Sequence, residues 1–151
     1  MSNYSEDNLI EQPIMDILSQ DLNWEVANVY EDEVFGEKGT IGRESKGDVL
    51  LKFPFLKTIE KLNPNLPEQA YTKAYEIISS NDITKSLSQH NQEKYHLLKE
   101  GIPVTYRDNE GVIVEQQRLK VFDFDTPTNN SFLAVQQLWV SGKNGSNVRP
   151  D

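Results

Sequence analysis

The chain contains no cysteine. That removes disulfides, thiolate zinc sites and cysteine nucleophiles from consideration. No apolar run approaches the ~18 residues that a membrane span requires. The first residues, Met1-Ser2-Asn3-Tyr4-Ser5-Glu6-Asp7, are polar and acidic, unlike a secretory signal. A cytoplasmic protein without membrane association is the expectation. Bases are also scarce, with 15 Lys and Arg against 24 Asp and Glu and a net charge of −9. Domains that grip DNA through its phosphates usually carry a basic face. If this chain touches DNA, most of the affinity must come from elsewhere in a larger protein or complex. It also lacks a Gly-x-x-x-x-Gly-Lys-Ser/Thr loop, so no ATP hydrolysis is expected of it.

What is present is the composition of an ordinary globular protein, 36% hydrophobic and 26% charged over 151 residues. That length suits one domain with a substantial core. Ile10, Ile14, Ile17, Leu18 and Leu22 recur at helical spacing and predict an amphipathic helix over about residues 5–22. Asn8 and Glu11 have the spacing of a capping box, and Pro13 moves the regular helix towards Gln12. Residues 23–30 alternate like a half-buried strand. Residues 31–46, acidic and bearing Gly36, Gly39 and Gly42, predict a loop. The glycine spacing lacks the order of a nucleotide-binding turn.

Three helical pieces are expected between residues 47 and 101. The first ends at Asn63-Pro64, and Pro54 is placed to break or kink it. The second starts after Asn65-Leu66-Pro67-Glu68, with Asn65 as its cap, and the third runs over about residues 84–100 to a cap at Gly101. The last third reads as strands: a hairpin over residues 102–114, a strand at 119–124, and a long strand at 132–140. The fold class expected is α/β in one domain, residues 1–151, with helices first and sheet later.

Individual polar residues have mundane readings as well as chemical ones. His90 and His96 are six apart, on different faces of a helix, and lack the spacing of a helical metal pair. Asn91 falls on the stripe of Leu87, Tyr95 and Leu98 and reads as a buried structural asparagine. Asp123, Gln136 and Gln137 either point inward near a site or face solvent, since alternation exposes every second strand residue. The run Glu31-Asp32-Glu33 reads as a solvated loop. Lys143, Asn144 and Arg149 are placed to approach a phosphate, though with few other bases nearby. The chain ends Arg149-Pro150-Asp151 after a β-rich stretch. A carboxylate at a strand entry is a common holder of a hard divalent cation, but it is one ligand among several. An ending within such an element reads as a fragment of something larger.

Several stretches occur in an ordered series: Asn8-Leu9-Ile10-Glu11 with Asn23-Trp24, Leu62-Asn63-Pro64 with Leu66-Pro67, and Asn91 before Leu98-Lys99-Glu100-Gly101-Ile102. Then come Phe122-Asp123-Phe124 with Asn129-Asn130-Ser131-Phe132, Gln136-Gln137 and Arg149-Pro150-Asp151. From about Asn8 to Asp151 this resembles the N-terminal region of the R (restriction) subunit of type I restriction-modification enzymes. The resemblance implies a restriction-endonuclease-like nuclease of the PD-(D/E)xK class, a mixed β-sheet flanked by helices, incomplete here at its C-terminus. It implies Mg²⁺ as cofactor, with Asp151 as catalytic residue and metal ligand and Glu11 as a further metal ligand. It also implies double-stranded DNA as substrate, an ATP-driven motor further along the full-length chain, and methyltransferase and specificity subunits as partners. The second half of the motif, a Glu-x-Lys on the next strand, has no counterpart in this sequence, so this chain alone is expected to be inactive. The alternative is a non-enzymatic acidic α/β module that docks on another protein, which the net charge favours.

Overall fold

A computed structural model describes residues 10–30, 33–142 and 144–149. The elements in order are α1 (Gln12–Gln20), β1 (Glu25–Asn28), α2 (Lys52–Leu62), α3 (Glu68–Ser79), α4 (Leu87–Glu100), β2 (Ile102–Arg107), β3 (Ile113–Leu119), β4 (Leu133–Gln136), β5 (Val140–Ser141) and β6 (Asn147–Val148). The fold is α/β, built from helices and small sheets. Among the described residues the strands form three pairs: β1 with β4 in parallel, and β2 with β3 and β5 with β6 antiparallel. The chain divides into two compact units, residues 1–51 with 131–151, and residues 52–130.

In the first unit, Pro13 sits in the opening turn of α1, where a missing N–H costs nothing, and the helix begins at Gln12. The apolar stripe of α1 stays half exposed at Ile10, Ile14 and Ile17. β1 lies beside β4 with Asn28 opposite Gln136, and Trp24 stacks on Phe132 with ring centroids 5.0 Å apart. Residues 33–51 contain neither helix nor strand, as the glycines and acids predict. The reading of Glu31-Asp32-Glu33 as solvated fails at Glu33; Glu31 and Asp32 lie outside the described residues. The Glu33 side chain is 4% exposed and takes two 2.6 Å hydrogen bonds from Arg43, itself 1% exposed. A buried carboxylate must find such a partner. Gly39 is needed for close approach, since a Cβ there would lie 2.2 Å from the Val34 carbonyl oxygen.

The long strand expected over residues 132–140 is broken at Gln137, whose φ of 62° is left-handed. β4 ends at Gln136, and β5 resumes only at Val140.

The second unit holds most of the buried apolar side chains, among them Phe55, Ile59, Tyr71, Ile102, Val104 and Leu119. Pro54 is accommodated in the first turn of α2. Asn63 stitches the end of α2 to the chain after β3, donating to the carbonyls of Ile59 and Lys120 and accepting from the Lys120 N–H. α3 takes Pro67, not Asn65, as its N-cap, and Asn65 has a φ of 68°. Asn91 is exposed, contrary to the buried asparagine expected. No residue of α4 is buried; the partly covered positions are His90, Lys94, Leu97 and Leu98. The face turns because Lys94 reaches the end of α3, donating to the carbonyls of Ile78 at 2.5 Å and Ser80 at 2.6 Å. α4 opens on a capping box between Ser86 and Gln89 and ends at Gly101, where a Cβ would meet the Leu119 carbonyl oxygen at 2.8 Å.

The strand expected at 119–124 is absent. β3 instead runs through Leu119 beside β2, with a register shift opposite Val104 and Tyr106. The chain then turns because Asp123 and Asn130 take up its polar groups. Asp123 accepts from the N–H groups of Asp125 and Thr126 and from Asn129 Nδ2, while its own N–H donates to Asn130 Oδ1.

Candidate functional site

The broken strand makes a polar constellation possible. In a continuous strand consecutive side chains point to opposite faces, so Gln136 and Gln137 could not both reach one group. The left-handed turn at Gln137 brings both amides onto the carboxylate of Glu11, the residue that precedes α1. Gln136 Nε2 donates to Glu11 Oε2 at 2.5 Å, and Gln137 Nε2 lies 2.7 and 2.6 Å from the two Glu11 oxygens. Asn8 lies outside the described residues, and Glu11 itself makes no side-chain cap to α1.

Behind this contact the Gln136 amide is fully committed. Its Oε1 accepts from Asn28 Nδ2 at 3.3 Å and from Gln12 Nε2 at 3.4 Å, and the residue is buried. The result is a relay from β1 and α1 through Gln136 to Glu11 that fixes the carboxylate's orientation. Gln137 differs, because its Oε1 is buried and accepts no hydrogen bond among the described residues. A shallow cleft of about 160 Å³ adjoins Gln136, lined by Gln12, Asp16, Ser19 and Asn28 among others.

Charge acts in the same direction. The Glu11 pKa lies below its ordinary value, first through the Gln136 amide and then that of Gln137; burial opposes them, and the positive charge of Arg149 adds to the lowering. The guanidinium of Arg149 lies 5.6 Å from the Tyr30 ring centroid and 5.8 Å from that of Trp139. Lys46 approaches the same Trp139 ring at 5.9 Å. Arg43 donates to the Trp139 carbonyl at 2.8 Å, so the buried Glu33–Arg43 pair also fixes the chain that carries this ring.

Of the residues singled out in sequence, Glu11, Gln136 and Gln137 come together, and Asp151 and Lys143 lie outside the described residues. Asn144 is used in its own turn, accepting from Ser146. His90 Nε2 donates to the Asp82 carbonyl, and His96 pairs with Glu100 on the exposed face of α4. Asp123 organises its own loop. Among the described residues no group of three His, Asp or Glu side chains is placed to share a metal, and no helix is long and apolar enough to cross a membrane. The one Glu-x-Lys tripeptide, Glu44-Ser45-Lys46, lies in a turn clasped by Asp48, not on a strand. Sequence reasoning missed Asn28 and Arg43. Asn28 carries a signal, a polar residue within an otherwise alternating strand; Arg43 in its loop carries none.

The chain is similar to the "Type I restriction enzyme HindI endonuclease subunit" of Haemophilus influenzae, with 33% identity over 145 residues covering 96% of this chain and 13% of that protein. It is also similar to a Methanocaldococcus jannaschii protein named "Putative type I restriction enzyme MjaIXP endonuclease subunit", with 30% identity over 111 residues covering 72% of this chain and 10% of the other. It thus spans about an eighth or less of the length of these relatives. No solved structure matches it. The family described as "Type I restriction enzyme R protein N terminus" matches residues 3–151, and the chain belongs to that family.

Proposed function

We propose that this chain is the front of a Mg²⁺-dependent nuclease of the PD-(D/E)xK class, acting on double-stranded DNA as part of a type I restriction complex. The observation that carries this reading is the Glu11 carboxylate, held by two glutamine amides in a chain matched to the R-subunit family over residues 3–151. Glu11 and Asp151 are the proposed metal ligands. Glu11 offers carboxylate oxygens, the hard donors Mg²⁺ prefers, which in the described structure accept from the Gln136 and Gln137 amides. When bound, the ion supplies charge to activate water and to stabilise the transition state at the scissile phosphate. The chain's own part is orientation. Gln12 and Asn28 set the Gln136 amide, and Gln136 sets Glu11.

On this reading the ATP-driven motor and the contacts with methyltransferase and specificity subunits belong to the remainder of a protein the length of the relatives. The 151-residue chain alone leaves DNA uncut, because its one Glu-x-Lys sits in a turn.

The test is DNA cleavage by the full-length subunit assembled with its partners, carrying Glu11→Gln or Asp151→Ala. Cleavage should be lost in both, while ATP hydrolysis continues at the parent rate. Either variant cutting DNA like the parent removes that residue from the site; both doing so overturns the reading.

A further inference from the structure

A cation on a surface this acidic is drawn to any carboxylate within reach, and Arg43 has closed on Glu33 in that way. Arg149 and Lys46 have not. Among the described residues neither the Arg149 guanidinium nor the Lys46 ammonium makes a hydrogen bond or an ion pair; each lies over a ring instead. The carboxylate that feels the charge of Arg149 is Glu11. Both of its oxygens already accept from the Gln136 and Gln137 amides. The glutamines thus keep the acid from closing on the cation.

The two cations are also held in place. Arg149 lies 5.6 Å from the Tyr30 ring centroid and 5.8 Å from that of Trp139, so rings far apart in sequence fix where its guanidinium stands. A guanidinium over aromatic rings keeps its planar fork of five N–H donors, the shape that matches a phosphate in two bonds. Arg149 is exposed, so the fork meets solvent. Lys46 reaches the same Trp139 ring at 5.9 Å, and its carbonyl is pinned by the Ser141 N–H at 2.9 Å and by Arg43. Two positive charges gathered at one ring repel each other, and an anion beside them relieves that. The rings already carry the cations, which leaves the site suited to a phosphate rather than to a stacked base.

We infer that Arg149 and Lys46 contact neighbouring phosphates of a DNA strand, held for that purpose by the Tyr30 and Trp139 rings. Two such contacts set where the backbone lies on this unit and carry no sequence information; most of the affinity stays elsewhere in the protein. The inference rests on the double-stranded DNA substrate proposed above and needs no cation at Glu11.

The test is binding of a short duplex by the full-length subunit over a series of salt concentrations, without divalent cation so that nothing is cut. Each phosphate contact contributes about 0.9 to the steepness of log affinity against log salt. Arg149→Gln and Lys46→Gln should each reduce the steepness by about that much, the two together by roughly twice as much, and equally on duplexes of unrelated sequence. Arg149→Lys keeps the charge but not the fork, so it should weaken binding with the steepness unchanged. A merely structural role would move the melting temperature and leave the salt dependence alone. Parent-like steepness in either glutamine variant overturns the paired site, and so does a reduction confined to one sequence. Inorganic phosphate, titrated while the Trp139 indole is followed by NMR, identifies the source: if it binds and the duplex salt dependence does not change in the variants, the site takes a free anion and the inference fails. If the salt dependence falls as expected while Glu11→Gln and Asp151→Ala still cut DNA, this site stands and the nuclease assignment of those two residues fails. A subunit that binds no duplex overturns both.

Discussion

Replacing Arg43 by Met tests whether the loop over residues 33–46 is held by a buried ion pair. Arg43 makes two 2.6 Å bonds to Glu33, one of 2.8 Å to the Trp139 carbonyl and one of 3.4 Å to the Lys46 carbonyl. Met fills similar space, so the cavity contribution is small. What remains is a carboxylate 4% exposed with its partner gone. Breaking a buried pair from one side costs ~3–5 kcal/mol, because a charge is left out of water uncompensated. Removing both charges with Glu33→Leu and Arg43→Met together avoids that penalty. Only the donors to two carbonyls are lost, at about 1 kcal/mol each. The double variant should therefore be more stable than the single one. Both tryptophans, Trp24 and Trp139, lie in the unit containing the pair, so urea unfolding followed by tryptophan fluorescence reports on it directly. A cost below ~1 kcal/mol for Arg43→Met, the value of a solvent-exposed pair, would refute the burial. So would a double variant no more stable than the single one.

Lys94→Met removes the cation that closes the end of α3, where its Nζ donates to the Ile78 and Ser80 carbonyls. The loss should be ~1.5–3 kcal/mol, with amide exchange fastest at the last turn of α3. Gly39→Ala places a methyl against the Val34 carbonyl oxygen and the Phe35 backbone, neither of which is a flexible side-chain end. It should destabilise the first unit, read by urea unfolding followed by the fluorescence of its two tryptophans. Asp123 has a pKa below its ordinary value of 3.8, first through Asn129 Nδ2 and then the Thr126 N–H. Its contribution is therefore present above about pH 4 and disappears as pH falls through the lower folded value. Acid titration should increase amide exchange in residues 123–130, and Asp123→Asn should flatten that pH dependence.

Much of the local structure could be read from spacing. The stripe of α1, the helix start forced by Pro13, the loop over residues 33–46, the end of α4 at Gly101 and the hairpin that follows it all follow from residues close in sequence. The failures share a cause, which is a partner distant in sequence. Lys94 turned α4 because the carbonyls at the end of α3 lay within reach, and Glu33 was buried because Arg43 came to meet it. Gln137 ends β4 without glycine, proline or asparagine to announce it, and no period-two pattern can show that two adjacent glutamines meet one carboxylate. Glu11 was legible only through resemblance. Its local signal was that of a helix cap, and its observed partners lie about 125 residues away.

The charge is divided between the two units in a way that bears on how such a chain would meet DNA. The unit holding Glu11 carries five of the 15 bases and thirteen of the 24 acids, whereas the other is close to neutral. A net negative unit opposes a polyanion, although the charge acting on Glu11 itself is the positive Arg149. Phosphate contacts give most nucleic-acid binding its strength, and of the five bases in this unit Arg43 is committed to Glu33. On the proposed function, then, this unit contributes chemistry rather than grip. DNA would be held by the remaining seven-eighths of a protein the length of the H. influenzae relative, and the cation would make an acidic surface acceptable to the phosphate it cuts.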